Sequence, residues 1–328
     1  MKGGEIIYKV VSIFSGGGGL DQGFMQAGFC IILSTDIDKD CCETLNANFD
    51  HEVICDDINN LKFENNYADI IIGGSPCQSM SNANRVNNSK VIDDPKNKLI
   101  LSYINKVKEI NPQIFVFENV PQVITVNKGQ FVKEFRESLP NYHIEVKILN
   151  SEEYGVAQKR KRAIFIGSRV GVIKHPEPLK EKYTVKDAFY GLTNKTPNQL
   201  DISKSKEDVI HKMSFIPPGG NWEYIPDELK GKLSKKTTHS VYYKRLTYKE
   251  PSITIVNFRK NMILHPQENR IISVREAARL QGFPDDYIFY GSLASKQQMV
   301  ANAVPVSMSK IIGLHILKYL QESNIKGV

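Results

Sequence analysis

Apolar and polar positions in the first half of the chain alternate between two rhythms. Residues 10–14 (VVSIF) form a short apolar run that breaks into four glycines, Gly16 to Gly19. Helical spacing follows through Leu20, Phe24 and Ala27, and 31–33 (IIL) then leads to Asp36. Strand, turn, helix, strand is the βαβ unit of a parallel sheet, so the expected fold class is α/β. Asp38 is placed to cap a helix that runs to Asn48; 52–55 reads as a third strand and 69–74 (DIIIGG) as a fourth. The spacing predicts a helix over 99–110, stopped by Pro112, and a fifth strand over 113–117 (QIFVF) that runs into Glu118-Asn119-Val120-Pro121. Further strands are expected at 143–149 and 163–167. From about Asn194 the texture turns to Lys, Ser, Asn and Pro with weak periodicity, including 217–222 (PPGGNW), which predicts a second lobe. Regular pattern returns at Ser273, a cap with Glu276 three residues on, and 306–320 predicts a final amphipathic helix.

Composition adds limits. A chain of 328 residues, 41% hydrophobic, can bury one large core and a smaller lobe. The start lacks the pattern of a secretory signal and no apolar stretch reaches about 20 residues, so a cytoplasmic protein without membrane contact is expected. The five cysteines (Cys30, Cys41, Cys42, Cys55, Cys77) contain no CxxC pair and have no histidines at ligand spacing, which argues against zinc and against a disulfide framework. No metal is expected. The formal charge of +7 is clustered: between Lys230 and Lys249 stand seven basic residues and no acid, interleaved with Tyr242, Tyr243 and Tyr248. A solvated lysine face would look like this too, but the tyrosines and the cluster Lys159-Arg160-Lys161-Arg162 favour a polyanion.

In an open α/β sheet, ligands gather at the carboxyl ends of the strands. The glycine loop, Asp36, Asp57, the loop 73–81 (GGSPCQSMS) and Glu118 should all fall on that edge. Asp36 follows Gly16 by 20 residues, a spacing that suits a ribose hydroxyl, although a tight glycine turn with a surface acid fits as well. Cys77 lies in a polar loop rather than an apolar face, which makes it a candidate nucleophile. Glu118 could exchange a proton with a substrate held against that thiol.

In this order the pieces resemble the DNA (cytosine-5) methyltransferase family. The matches are FSGGGG from Phe14, Asp36, Asp57-Ile58, SPCQSMS from Ser75, Glu118-Asn119-Val120, QKRKR from Gln158, RLTYKEPSITI from Arg245, REAARLQGFP from Arg275, and Asn302-Ala303-Val304. The whole looks most like the compact bacterial enzymes of restriction-modification systems. Two departures stand out: Ser12 occupies a position where many members have Asp, and Ala301 one where the family usually has Gly, which would strain alanine if φ is positive there.

The resemblance implies a Rossmann-like S-adenosylmethionine-dependent sheet, in a catalytic domain of residues 1–192 plus 300–328, and a smaller target-recognition domain over 193–299. It implies catalytic roles for Cys77, Glu118, Asn119, Arg160 and Arg162. It implies an S-adenosyl-L-methionine site at Phe14, Gly16, Gly18, Gly19, Leu20, Asp36, Ile37, Asp57, Ile58, Pro76, Leu99, Asn302 and Val304. DNA contacts are expected from Gln78, Ser79, Ser81, Lys235, Lys236, Tyr242, Arg245 and Thr254, with Arg245 and Thr254 organising the recognition lobe. Expected partners are double-stranded DNA and a restriction endonuclease acting on the same site, with the protein itself a monomer. Three rivals share some of these features: a transfer RNA methyltransferase, a catalytically silent DNA-binding subunit, and a nicotinamide oxidoreductase, which would leave Cys77 and Glu118 unexplained.

Overall fold

The computed structural model describes residues 7–75, 97–235, 238–325 and 327. The chain divides into two compact units, one of residues 1–150, 161–178 and 308–328, the other of 151–160 and 179–307. This partition puts 151–160, 179–192 and 300–307 in the second unit, where the sequence reading had them in the catalytic domain.

The first unit holds a seven-stranded sheet: β1 (Lys9–Ile13), β2 (Cys30–Asp36), β3 (Glu52–Cys55), β4 (Ile70–Gly74), β5 (Ile114–Asn119), β6 (His143–Asn150) and β7 (Lys161–Ser168). Their order is β3-β2-β1-β4-β5-β7-β6. β1 pairs in parallel with both β2 and β4, and β4 with β5, whereas β7 runs antiparallel between β5 and β6. The central strands are mostly apolar because both their faces are covered: Val10, Val11, Ile13, Ile70, Ile71, Ile72 and Ile114 to Phe117 are all buried.

Helices α1 (Gly19–Gln26), α2 (Lys39–Asn48), α3 (Lys98–Ile110), α4 (Gln122–Thr125) and α5 (Gln130–Ser138) lie between these strands in the chain. The Asp38 carboxylate caps α2 by accepting from the backbone N–H groups of Asp40 and Cys41 at 2.9 and 3.2 Å. α3 ends at Asn111, whose left-handed backbone (φ 51°) precedes Pro112. α5 sends Phe131 and Phe135 into a core shared with Tyr103, Phe115, Phe117 and Phe165.

The second unit contains α6 (Val185–Phe189), α7 (Glu207–Ser214), α8 (Asp227–Lys230), α9 (Val274–Leu280) and α10 (Leu293–Asn302). Loops among its described residues are tied by isolated bridges at Gln158–Ser252, Arg245–Leu264 and Leu264–Ile271. α9 opens with the expected capping box: the Ser273 hydroxyl accepts from Glu276 N at 3.0 Å, and the Glu276 carboxylate accepts from Ser273 N at 2.8 Å. The last helix, α11 (Val306–Glu322), contributes its residues from Met308 onward to the first unit, burying Met308, Ile312, Ile316 and Leu320 at helical spacing.

Candidate active site

The parallel strands β1, β2, β4 and β5 end on one edge of the sheet, and the loops there carry most of the first unit's candidate residues. β1 runs out at Phe14, whose backbone is left-handed (φ 56°), as are Gly16 (φ 54°) and Gly18 (φ 73°), the N-cap of α1. A side chain at Gly16 would meet open space, so it is the backbone conformation that calls for glycine there. Gly16 N donates to the Asp36 carboxylate at 2.8 Å, and Asp38 N donates to the other oxygen at 3.0 Å. Burial pushes the Asp36 carboxyl up, and those two N–H groups oppose it. Beside it Ile37 is 70% exposed, an apolar side chain left on the surface at a strand end. Asp57 accepts from Asn59 N at 2.9 Å and from its side-chain amide at 2.7 Å. An open loop of glycines, a strand-end carboxylate and an exposed apolar residue suit a nucleoside.

The expected cofactor residues are not all available in the same way. Ile58 and Leu20 are 3% and 5% exposed, so their side chains pack the interior and only their backbones could meet a ligand. Leu99, in the first turn of α3, is half-buried. Asn302 and Val304 belong to the second unit: Asn302 is exposed and Val304 buried. Ala301 lies inside α10 and is absent from the positive-φ residues, so the suspected strain is not there.

The acid end of the site is built by three strands. Gly74 of β4 lies opposite Glu118 of β5, and a Cβ on Gly74 would come within 2.6 Å of a Glu118 carboxylate oxygen. Glycine there leaves room for the carboxylate. β7 starts at this edge because it runs against β5, and its Arg162 Nε donates to Glu118 Oε1 at 2.7 Å. The Asn119 side chain donates to Ser75 Oγ at 3.2 Å and accepts from Val120 N at 2.9 Å. It thereby ties the end of β5 to the residue from which the thiol loop departs. Cys77, Pro76, Gln78, Ser79 and Ser81 lie outside the described residues.

Residues of the second unit divide into struts and surface. Arg160 is 1% exposed and donates to Ile255 O at 3.0 Å and Asn302 O at 3.3 Å, so Arg162 is the guanidinium of the QKRKR stretch that pairs with Glu118. Gln158, fully buried, accepts from Ile255 N at 2.9 Å and donates to Leu280 O at 3.2 Å. Arg245 was expected to touch DNA, and the geometry corrects this. Its five N–H groups donate to Ile216 O, His265 O, Glu268 O, Met213 O and Asn269 Oδ1 at 2.6 to 2.9 Å, leaving none for a phosphate. Thr254 Oγ1 donates to Lys159 O at 2.7 Å. Lys235 is exposed and 3.6 Å from Glu223, Tyr242 packs edge-on against Tyr243 at 5.0 Å, and Lys236 lies outside the described residues.

Sequence reasoning missed two polar clusters. In the second unit Arg270 donates to both oxygens of the buried Glu276 at 2.7 and 2.8 Å, and Glu276 also accepts from Gln199 at 3.0 Å. In the first unit Asp21 is buried among Ser12, Ser34 and, beyond them, His51. Serines inside the apolar runs of β1 and β2 were the available signal.

The family model described as C-5 cytosine-specific DNA methylase matches residues 8–318. The chain is 35% identical to the type II methyltransferase M1.HphI of Haemophilus parahaemolyticus, over 94% of this chain and 86% of that one. It is 34% identical to the type II methyltransferase M.FnuDI of Fusobacterium nucleatum, over 96% and 95%. Among solved structures, a prophage-encoded Escherichia coli protein assigned as a DNA modification methyltransferase superposes with a TM-score of 0.70 at 24% identity, over 96% of this chain and 99% of that one.

Proposed function

Because the chain belongs to the C-5 cytosine-specific DNA methylase family, we propose that it methylates C5 of a cytosine within a short duplex sequence, through a covalent adduct on Cys77. The observation that carries this reading is the Glu118–Arg162 pair at 2.7 Å, at the strand end beside the loop that leads to Cys77.

Cytosine C5 is a weak nucleophile until the ring's conjugation is broken. The Cys77 thiolate would add to C6, and the displaced ring electrons would move toward N3, where Glu118 supplies a proton or a hydrogen bond. Arg162 holds one carboxylate oxygen and leaves the other for the base. With C6 occupied, C5 has enamine character. S-adenosyl-L-methionine, which the glycine loop, Asp36 and Ile37 would hold, supplies an electrophilic methyl group for that carbon. Loss of the C5 proton to water then expels the thiolate and restores the ring. These atoms are inaccessible inside a stacked duplex, so the cytosine must leave the stack. Asn119 acts by placing backbone, and Arg160 by bracing the second unit from within.

Double-stranded DNA is the proposed partner, read by the basic segment 230–249, with Lys235, Lys236, Tyr242 and Thr254 as the proposed contacts. By analogy with the two relatives named above, the biological setting is a type II restriction-modification system with a cognate endonuclease. The protein would work as a monomer in the cytoplasm.

A duplex bearing 5-fluorocytosine at the target tests the mechanism, since fluorine cannot leave as a proton does. Wild-type protein with S-adenosyl-L-methionine should form an SDS-stable adduct. Cys77→Ser should form none while keeping specific DNA affinity within about tenfold, because one thiol contributes little to a contact of roughly 1,000 Å² or more. A mutant of full activity would refute the adduct, and methylation of transfer RNA in place of duplex DNA would refute the substrate.

A further inference from the structure

Two serines interrupt the apolar strands β1 and β2, and both turn toward one buried acid. Ser12, Ser34 and Asp21 are each 0% exposed. Ser12 Oγ donates to Asp21 Oδ2 at 2.9 Å, and Ser34 Oγ donates to Asp21 Oδ1 at 2.5 Å. A hydroxyl has one proton to give. Having spent it on Asp21, Ser12 accepts from Ser15 Oγ at 2.8 Å. With the proton on Nε2 of His51, Ser34 accepts in the same way at 2.7 Å. An ionised Asp21 thus fixes the direction of two short relays, one ending in the glycine loop. A protonated carboxyl cannot receive both hydroxyl protons on equal terms, so one relay must then turn round.

The loop end is where backbone strain sits. Phe14 holds a left-handed conformation uncommon for an aromatic residue, and it is followed directly by Ser15. Ser15 N donates to Thr35 O at 3.0 Å, Ser15 O accepts from Gly18 N at 2.9 Å, and the hydroxyl enters the relay.

We infer that Asp21 is a positioning residue of the cofactor site, anchoring the glycine loop through Ser12 and Ser15 so that Phe14 keeps its left-handed backbone. This rests on the reading of that loop as the S-adenosyl-L-methionine site. Burial pushes the Asp21 carboxyl up to about 6, with the two serine hydroxyls opposing and the charge of Asp36 adding to the rise. The other titrating groups facing the cluster are Asp36, itself raised by burial, and His51, lowered by burial and opposed by Asp50.

Calorimetric titration with S-adenosyl-L-methionine between about pH 5 and 8.5 tests it on wild type, Asp21→Asn, Ser12→Ala and His51→Gln, with thermal midpoints measured without cofactor. Wild-type affinity should be flat above about pH 7 and fall as pH drops through 6, where Asp21 takes its proton. Asp21→Asn should lack this step and bind at pH 8 as weakly as wild type does at pH 5, about tenfold below its optimum. Its thermal midpoint at pH 8 should match or exceed that of wild type, since no charge remains buried. Ser12→Ala should lose about fivefold at pH 8 or more. His51→Gln should keep the step. A step that persists in Asp21→Asn belongs to Asp36 or His51 and overturns the inference, as does wild-type affinity in Ser12→Ala. Wild type that binds no S-adenosyl-L-methionine at any pH would instead bring down the cofactor reading itself.

Discussion

At the scale of single residues, Glu118 owes its position to two neighbours that give it space and charge. Gly74 leaves the carboxylate room, and Arg162 takes one oxygen at 2.7 Å. Glu118→Gln should lower the methyl-transfer rate at least roughly 100-fold with S-adenosyl-L-methionine affinity within about threefold, because in the proposed mechanism the carboxyl acts on the base and not on the cofactor. Single-turnover methylation and calorimetry would separate the two quantities; a parallel loss of both would reassign the residue. Asp36 and Glu118 could be placed at strand ends from the sequence because each stands where an apolar run gives out. The buried arginines were not. Nothing in a polar segment distinguishes an Arg245 that saturates five carbonyl and amide oxygens from one that waits for phosphate, since the difference lies in residues 20 to 32 positions away. The backbone at Ala301 was left open for a related reason: its neighbours gave no sign that the helix of α10 reaches it.

At the scale of elements, all seven strands could be read from sequence; the central β1, β4 and β5, buried on both faces, announce themselves as apolar runs. Their order could not. An apolar run looks the same in either direction, so the antiparallel insertion of β7 between β5 and β6, which delivers Arg162 to the site, left no trace in periodicity. α5 was also missed: it is short, and its apolar face rests on two phenylalanines four residues apart. That face matters energetically. Phe135 packs against Phe117 and Phe165 with ring centroids 5.3 and 5.0 Å away, and it is fully buried. Phe135→Ala should cost about 3–5 kcal/mol, read as a lower urea midpoint at unchanged m-value. A cost under about 1 kcal/mol would mean that the cluster collapses freely around the gap.

At the scale of the whole molecule, the first unit is assembled from three separated stretches of chain, 1–150, 161–178 and 308–328. β6 and β7 pair along eight positions across the excursion of 151–160, and the Tyr8 hydroxyl donates to Ile325 O at 2.6 Å across 317 residues. A chain emerging from the ribosome at about 5–20 residues per second would therefore have all seven strands out, with the face for the last helix still bare, for roughly 7–28 s while 169–307 is synthesised. During that interval the surfaces that will meet Met308, Ile312, Ile316 and Leu320 are open to other chains and to chaperones. A chain stopped at residue 307 should stay in that condition, with the sheet region rapidly cut in limited proteolysis, and a separately supplied 306–328 peptide should slow the cutting. Nascent chains stalled near residue 300 should accordingly be a richer target for a holdase than chains stalled inside the first hundred residues, whose apolar strands have barely begun to pair.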